Sequence, residues 1–162
     1  LFSRPEIYPE QSMVTVSTHD LSTIAGWWTG NDLKWRQELN LYPNEQMGIG
    51  ERNGRVTDRE QLLAALEFEG VLSKEHFPQT QPALMSSELS RAVQAFLAKA
   101  PSRILLVPLE DALGLKEQVN IPGTIDEHPN WRRRLPYTIA EFWQHQDMNN
   151  LVDVMNQERP KG

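Results

Sequence analysis

Two short strand candidates, held apart by a long helical stretch, constrain this chain more than any other feature. The first is Met13-Val14-Thr15-Val16-Ser17, a β-branched run that delivers Thr18-His19-Asp20 to its C-terminal end. The second is Arg103-Ile104-Leu105-Leu106-Val107, closed by Pro108. A continuous apolar run of this kind suits a strand buried on both faces, as in a parallel sheet. Parallel strands need a crossover, and the segment between these two runs supplies one with helical periodicity. Polar groups follow both strands: His19 and Asp20 after the first, Glu110 and Asp111 after the second.

The helical periods can be placed in order. Leu21, Ile24, Ala25 and Trp28 fall at i, i+3, i+4 and i+7, so a helix is expected from residue 21 to 28, with Gly30 ending it. A second short helix is expected over 31–39, with Asn31 as its N-cap. Residues 40–56 hold Pro43, Gly48, Gly50 and Gly54 among charges and read as a surface loop. Thr57-Asp58-Arg59-Glu60 has the capping-box pattern and is expected to open a helix to about residue 69, with Leu62, Leu63 and Leu66 inward. Residues 71–85, with Pro78 and Pro82, read as irregular. Ser86 or Ser87 then caps a helix whose inner face is Leu89, Ala92, Val93, Phe96 and Leu97. A long loop is expected over 115–136. Thr138-x-x-Glu141 is another capping box, opening a helix with Ile139, Phe142 and Trp143 inward, and Met148, Leu151, Val152 and Met155 continue a helical face. The fold class is therefore α/β. Its two βα units, each with polar groups after the strand, resemble a quarter of an eight-stranded barrel, which as a whole needs about 250 residues. The chain has 162. It also begins at Leu1 rather than at a methionine, which suggests a piece of something larger.

Composition narrows the function. Lys and Arg total 16 against 22 Asp and Glu, a net charge of −6, which argues against a nucleic-acid binder. The chain has no cysteine, so disulfides and thiolate metal sites are excluded. No apolar run approaches the roughly 20 residues of a membrane span. Cytoplasmic residence is expected. His76, His128 and His145 lack metal-ligand spacing. The glycines at 48, 50 and 54 miss the dinucleotide fingerprint and follow no strand.

Three segments carry a resemblance. Ser17-Thr18-His19-Asp20-Leu21-Ser22-Thr23-Ile24-Ala25-Gly26-Trp27-Trp28 resembles the bacterial 4-alpha-glucanotransferases, or amylomaltases. Pro108-Leu109-Glu110-Asp111-Ala112-Leu113-Gly114 fits the same family, as does Gln118-Val119-Asn120-Ile121-Pro122-Gly123-Thr124 with Pro129-Asn130-Trp131-Arg132-Arg133-Arg134-Leu135. The resemblance implies the C-terminal portion of a (β/α)8 barrel, about its last two βα units, with residues 30–100 as a helical insertion. It implies transfer of α-1,4-glucan segments between maltooligosaccharides with retention of configuration. Asp20 matches the carboxylate that steadies the transition state, with His19, Asn120 and Pro122 as substrate-binding residues. The nucleophile and the acid/base have no counterpart here, so the isolated chain is expected to be inactive and to need the remainder of the barrel as its partner. No cofactor is implied, because carboxylates and hydrogen bonds suffice for glycosyl transfer.

Other readings compete at each position. Asp20 can also serve as a helix cap. Asn120, Pro122 and Gly123 can simply form a turn. Asn130, Trp131 and Arg134 read as structural, Trp131 through packing and Arg134 as a fork on loop acceptors. Trp27, Trp28 and Trp35 read as core. Glu110 and Asp111 are adjacent, and suit the first turn of a helix better than an acid/base pair. Two further functions stay open: a fragment of an α-glucan hydrolase, and a stand-alone sugar-binding module with an exposed aromatic platform.

Overall fold

The computed structural model describes residues 2–80 and 83–160, so Leu1 and Pro82 lie outside it. Two strands, β1 (Met13–Thr15) and β2 (Ile104–Leu106), pair in parallel with Met13 opposite Ile104 and Thr15 opposite Leu106. Four helices lie between them in sequence: α1 (Ile24–Thr29), α2 (Asn31–Glu38), α3 (Glu45–Phe68) and α4 (Ser87–Ala98). Three follow β2: α5 (Leu109–Ala112), α6 (Ile139–Phe142) and α7 (Gln146–Glu158). The parallel pair and its helical crossover make this a partial α/β arrangement.

The core is built by the helices. Leu62, Leu63 and Leu66 of α3 pack with Leu89, Val93, Phe96 and Leu97 of α4, around Val14 and Trp28. Trp28 is fully buried, and its indole Nε1–H donates to the Ala83 carbonyl at 3.0 Å. Ser86 caps α4 by accepting from the Leu89 N–H. Leu151 of α7 is buried, and α7 lies against α4. Beyond its end, the Arg159 guanidinium donates to the carbonyls of Ala98, Ala100 and Ser102. That fork ties the last helix to the segment leading into β2.

Several local expectations are corrected. The loop expected over 40–56 is the first half of α3, which Asn44 caps by accepting from the Met47 N–H. The capping-box pattern at Thr57 falls inside this continuous helix. Gly48 lets the Tyr42 ring sit close against this helix, since a Cβ would lie 3.1 Å from that ring. The charges also have partners: Arg36 with Glu51, Arg52 with Gln37, and Arg55 with Asp32 bind α3 to α2. Asn31 is the first residue of α2 rather than its cap; the left-handed Gly30 joins α1 to α2, and the Asn31 amide donates to the Lys116 carbonyl. The capping box at Thr138 forms, but closes a single turn, and Ile139 and Trp143 are exposed rather than inward. Strand β2 is not buried on both faces either, since Ile104 and Leu106 are half exposed. Among the described residues it has one strand neighbour, β1, and no strand pairs with its far edge.

One buried anion joins the two halves. Asp111, 1 % exposed on α5, accepts from the Ser17 hydroxyl at 2.7 Å and from the Ile24 N–H at 2.6 Å. Burial raises its pKa above the usual aspartate value, against the two hydrogen bonds that favour the carboxylate. Asp111→Ala strands both donors and is expected to cost about 2–3 kcal/mol in urea unfolding. Asp111→Asn keeps an acceptor for Ile24 and can donate to Ser17. A raised folded-state pKa means that Asp111's proton-linked contribution is fully present below the ordinary aspartate value and is lost as pH rises through the folded-state value. The stability of Asp111→Asn relative to wild type is therefore expected to increase from pH 4 to pH 7, and urea melts at both pH values check this.

Candidate active site

The C-terminal end of β1 runs into an exposed turn. Ser17 is buried on Asp111, and a Leu21 N–H to Thr18 carbonyl bond of 3.0 Å closes the turn over Thr18, His19 and Asp20. Helix α1 then begins, capped by Thr23, whose hydroxyl accepts from the Gly26 N–H. Capping thus falls to Thr23, and the Asp20 carboxylate is left free of that task.

A segment from the other half of the chain holds this turn. The Asn120 side-chain amide donates to one Asp20 carboxylate oxygen at 2.7 Å, and the Asn120 N–H donates to the His19 carbonyl at 3.1 Å. Nε2 of His19 lies 3.3 Å from the other Asp20 oxygen. Gln118 is buried, and its side-chain amide donates to the Asp20 carbonyl at 2.9 Å and the Asn120 carbonyl at 2.7 Å. Behind it, fully buried His128 bonds the Gln118 carbonyl through Nε2 at 3.0 Å, with Trp35 set edge-on to its ring. Trp35 is half-buried rather than core, and its indole N–H donates to Glu117.

Residues 121–124 turn the chain away from the carboxylate. The Thr124 N–H donates to the Ile121 carbonyl, with Pro122 and Gly123 (φ 87°) between them, the arrangement of a type II turn. Asn130 braces it, accepting from the Ile121 N–H and donating to Thr124. Pro122 is exposed on this turn and stands outside the hydrogen-bonded cluster. Of the four site candidates, His19, Asp20 and Asn120 are brought into direct contact.

Trp131 departs from the packing role expected of it. It is 64 % exposed, takes φ 58°, and sets its ring 5.0 Å from that of His19. A bulky side chain in the left-handed region is a strained arrangement that needs support. Here the Trp131 N–H donates to the Val119 carbonyl. Trp131 also walls a cleft of about 630 Å³ that reaches Glu110, Leu115 and Arg133. Arg133 pairs with Glu117 at 3.2 Å through one guanidinium nitrogen, and Arg134 lines the same cleft. Gln118, His128 and Trp131 escape a reading by local pattern, although Gln118 and Trp131 lie inside the segments that carry the resemblance.

Chemically, the site offers a half-exposed carboxylate with unfilled acceptor positions, an imidazole beside it, and an aromatic face next to both. Such a carboxylate accepts protons from hydroxyl groups. Among the described residues no three metal-ligating side chains converge, and no helix is long and apolar enough to cross a membrane.

Comparison with known proteins points one way. The 4-alpha-glucanotransferase family matches residues 2–140. A 4-alpha-glucanotransferase of Haemophilus influenzae is 27 % identical over 158 residues, covering 98 % of this chain and 22 % of that protein. One of Mycobacterium bovis is 35 % identical over 127 residues, covering 78 % of this chain and 16 % of that protein. The crystal structure of amylomaltase from Corynebacterium glutamicum superposes with a TM-score of 0.81 at 24 % identity, over 94 % of this chain and 23 % of that one. The chain thus spans about a fifth of the length of the relatives it matches.

Gln118 and Trp131 should respond differently to truncation. Gln118→Ala leaves two carbonyls without their donor and is expected to cost about 2 kcal/mol, with the Asn120 amide exchanging at least tenfold faster by NMR. Trp131→Ala removes an exposed ring and is expected to stay within about 0.5 kcal/mol of wild type.

Proposed function

This chain belongs to the 4-alpha-glucanotransferase family, and from that premise we propose that it supplies the C-terminal part of such an enzyme: about the last two βα units of a (β/α)8 barrel, with residues 30–100 inserted between the two strands. The whole enzyme passes α-1,4-glucan segments between maltooligosaccharides by a retaining double displacement. Its nucleophile and acid/base come from barrel strands outside this chain, which are the partners of the open sheet edge. The cysteine-free composition suits the cytoplasm.

The observation that carries this reading is the Asp20 carboxylate, aimed from a strand end by Asn120 and flanked by His19. Glycosyl transfer passes through an oxocarbenium-like state, and hydrogen bonds to the sugar 2-hydroxyl strengthen as charge develops. Asp20 accepts from such hydroxyls and contributes its negative charge to that state. His19 contacts a neighbouring hydroxyl and helps fix the ring. Asn120 engages the sugar while keeping Asp20 directed, and Pro122 forms the adjoining lip. The exposed face of Trp131 offers an apolar wall beside them. The chemistry asked of this chain is orientation and charge stabilisation, which carboxylate, amide and imidazole groups supply without a cofactor.

The isolated chain is expected to release no glucose from maltotriose, whereas the longer protein that carries it produces both glucose and longer oligosaccharides. In that longer protein, Asp20→Asn is expected to lower kcat by about 10²–10³-fold with the fold intact. Glucose release by the isolated chain would sink the proposal. Reducing ends without longer products would identify an α-glucan hydrolase instead. Millimolar or tighter maltoheptaose binding by the isolated chain, with an inactive longer protein, would identify a sugar-binding module.

A further inference from the structure

Arg52, Arg55 and Arg59 recur on α3 at spacings of three and four, so they share one helix face. With Lys34, Gln37 and Glu38 of α2 they line a cavity of about 610 Å³, in which Glu38 is the one carboxylate among the lining residues. The cations there differ in how they are compensated. Arg55 grips Asp32 with both terminal nitrogens, at 2.9 and 2.7 Å, and also donates to the Trp27 carbonyl. Lys34 faces Glu38 at 3.7 Å. Arg52 has only the neutral Gln37 amide oxygen, at 2.9 Å. Arg59 has less still. It is 5 % exposed and lies over the Trp28 ring, and its buried Nε has no partner. Among the described residues no carboxylate lies within 4 Å of it, and Asp32, taken up by Arg55, acts on it only at longer range. Burial lowers its pKa, and the neighbouring Arg55 lowers it further, against the smaller opposing pull of Asp32. The left-handed Gly30 leaves room beside it: a Cβ there would sit 3.8 Å from a terminal nitrogen of Arg59.

A buried guanidinium without a paired counter-ion is a costly arrangement, and here the Nε–H has neither water nor a hydrogen-bond partner. Two guanidinium charges in this cavity, those of Arg52 and Arg59, lack a carboxylate. Guanidinium forks match the oxygens of a phosphate, and two of them balance a dianion. The cavity falls within the usual volume range of small-molecule sites, larger than one phosphate group fills. We propose that the α2–α3 cavity binds the phosphate of a small anionic ligand, with Arg59 at its floor and Arg52 at its rim. This site stands independently of the glycosyl-transfer reading.

The test is a titration of the 162-residue chain with inorganic phosphate and with glycerol 3-phosphate, at constant ionic strength against chloride and acetate, followed by thermal unfolding and amide NMR. Phosphate is expected to raise Tm saturably and to shift amides of α2 and α3. Arg59→Met is expected to raise Tm in chloride, by removing an uncompensated cation, and to abolish the phosphate-dependent rise. Arg52→Gln, at an exposed position, is expected to fold as wild type and bind phosphate about tenfold more weakly. Tighter binding of glycerol 3-phosphate identifies a phosphomonoester as the occupant, and equal binding identifies free phosphate; both support the site. A phosphate response no greater than that to acetate overturns the proposal. So does a response unchanged in Arg52→Gln or surviving in Arg59→Met.

Discussion

The Asp111 carboxylate is the contact on which the rest of this structure depends. It accepts from Ser17, at the end of the first strand, and from Ile24, at the start of the first helix. The segment between those two residues is therefore pinned at both ends by a single buried group. Thr18, His19 and Asp20 are what remains exposed in the middle. Gln118 then clamps that turn from the opposite side through the Asp20 carbonyl. The Asn120 amide holds one oxygen of the Asp20 carboxylate, which keeps further acceptor positions open.

What could be read from sequence follows how local each signal is. The α4 cap and inner face are legible because Ser86 and the apolar residues it precedes lie within one helix. The capping box at Thr138 is legible for the same reason, but it reports only that a turn starts and not that its apolar residues find a core. The start of α3 is hidden because three glycines and a run of charges look like a loop. What keeps that stretch helical is tertiary: the Tyr42 ring over Gly48, and arginine pairs reaching back to α2. Asp20, His19 and Asn120 are singled out by the family resemblance alone, since helical period leaves Asp20 a cap; their mutual contact is what the structure adds. Trp131 is not legible, because its left-handed backbone leans on the Val119 carbonyl and its ring contact on His19, far away in the chain.

The sheet shows how weakly strand structure stands alone here. Three residues pair with three, and each strand has one neighbour among the described residues. Ile104 and Leu106 stay half exposed on an open edge. Such an edge invites pairing with further chain. The helices do not share this dependence, since Leu66, Leu89 and Trp28 bury themselves against one another.

The bond between Asn120 and Asp20 spans 100 residues, and that separation has a consequence for how the protein is made. A ribosome adds about 5–20 residues per second, so Asp20 exists for roughly 5–20 s before the residue that will aim it has been joined to the chain. Contacts of such long range also close late in folding, after local helices have formed. The turn that carries Asp20 thus takes its shape only after residue 120 has been made and the surrounding scaffold can hold it.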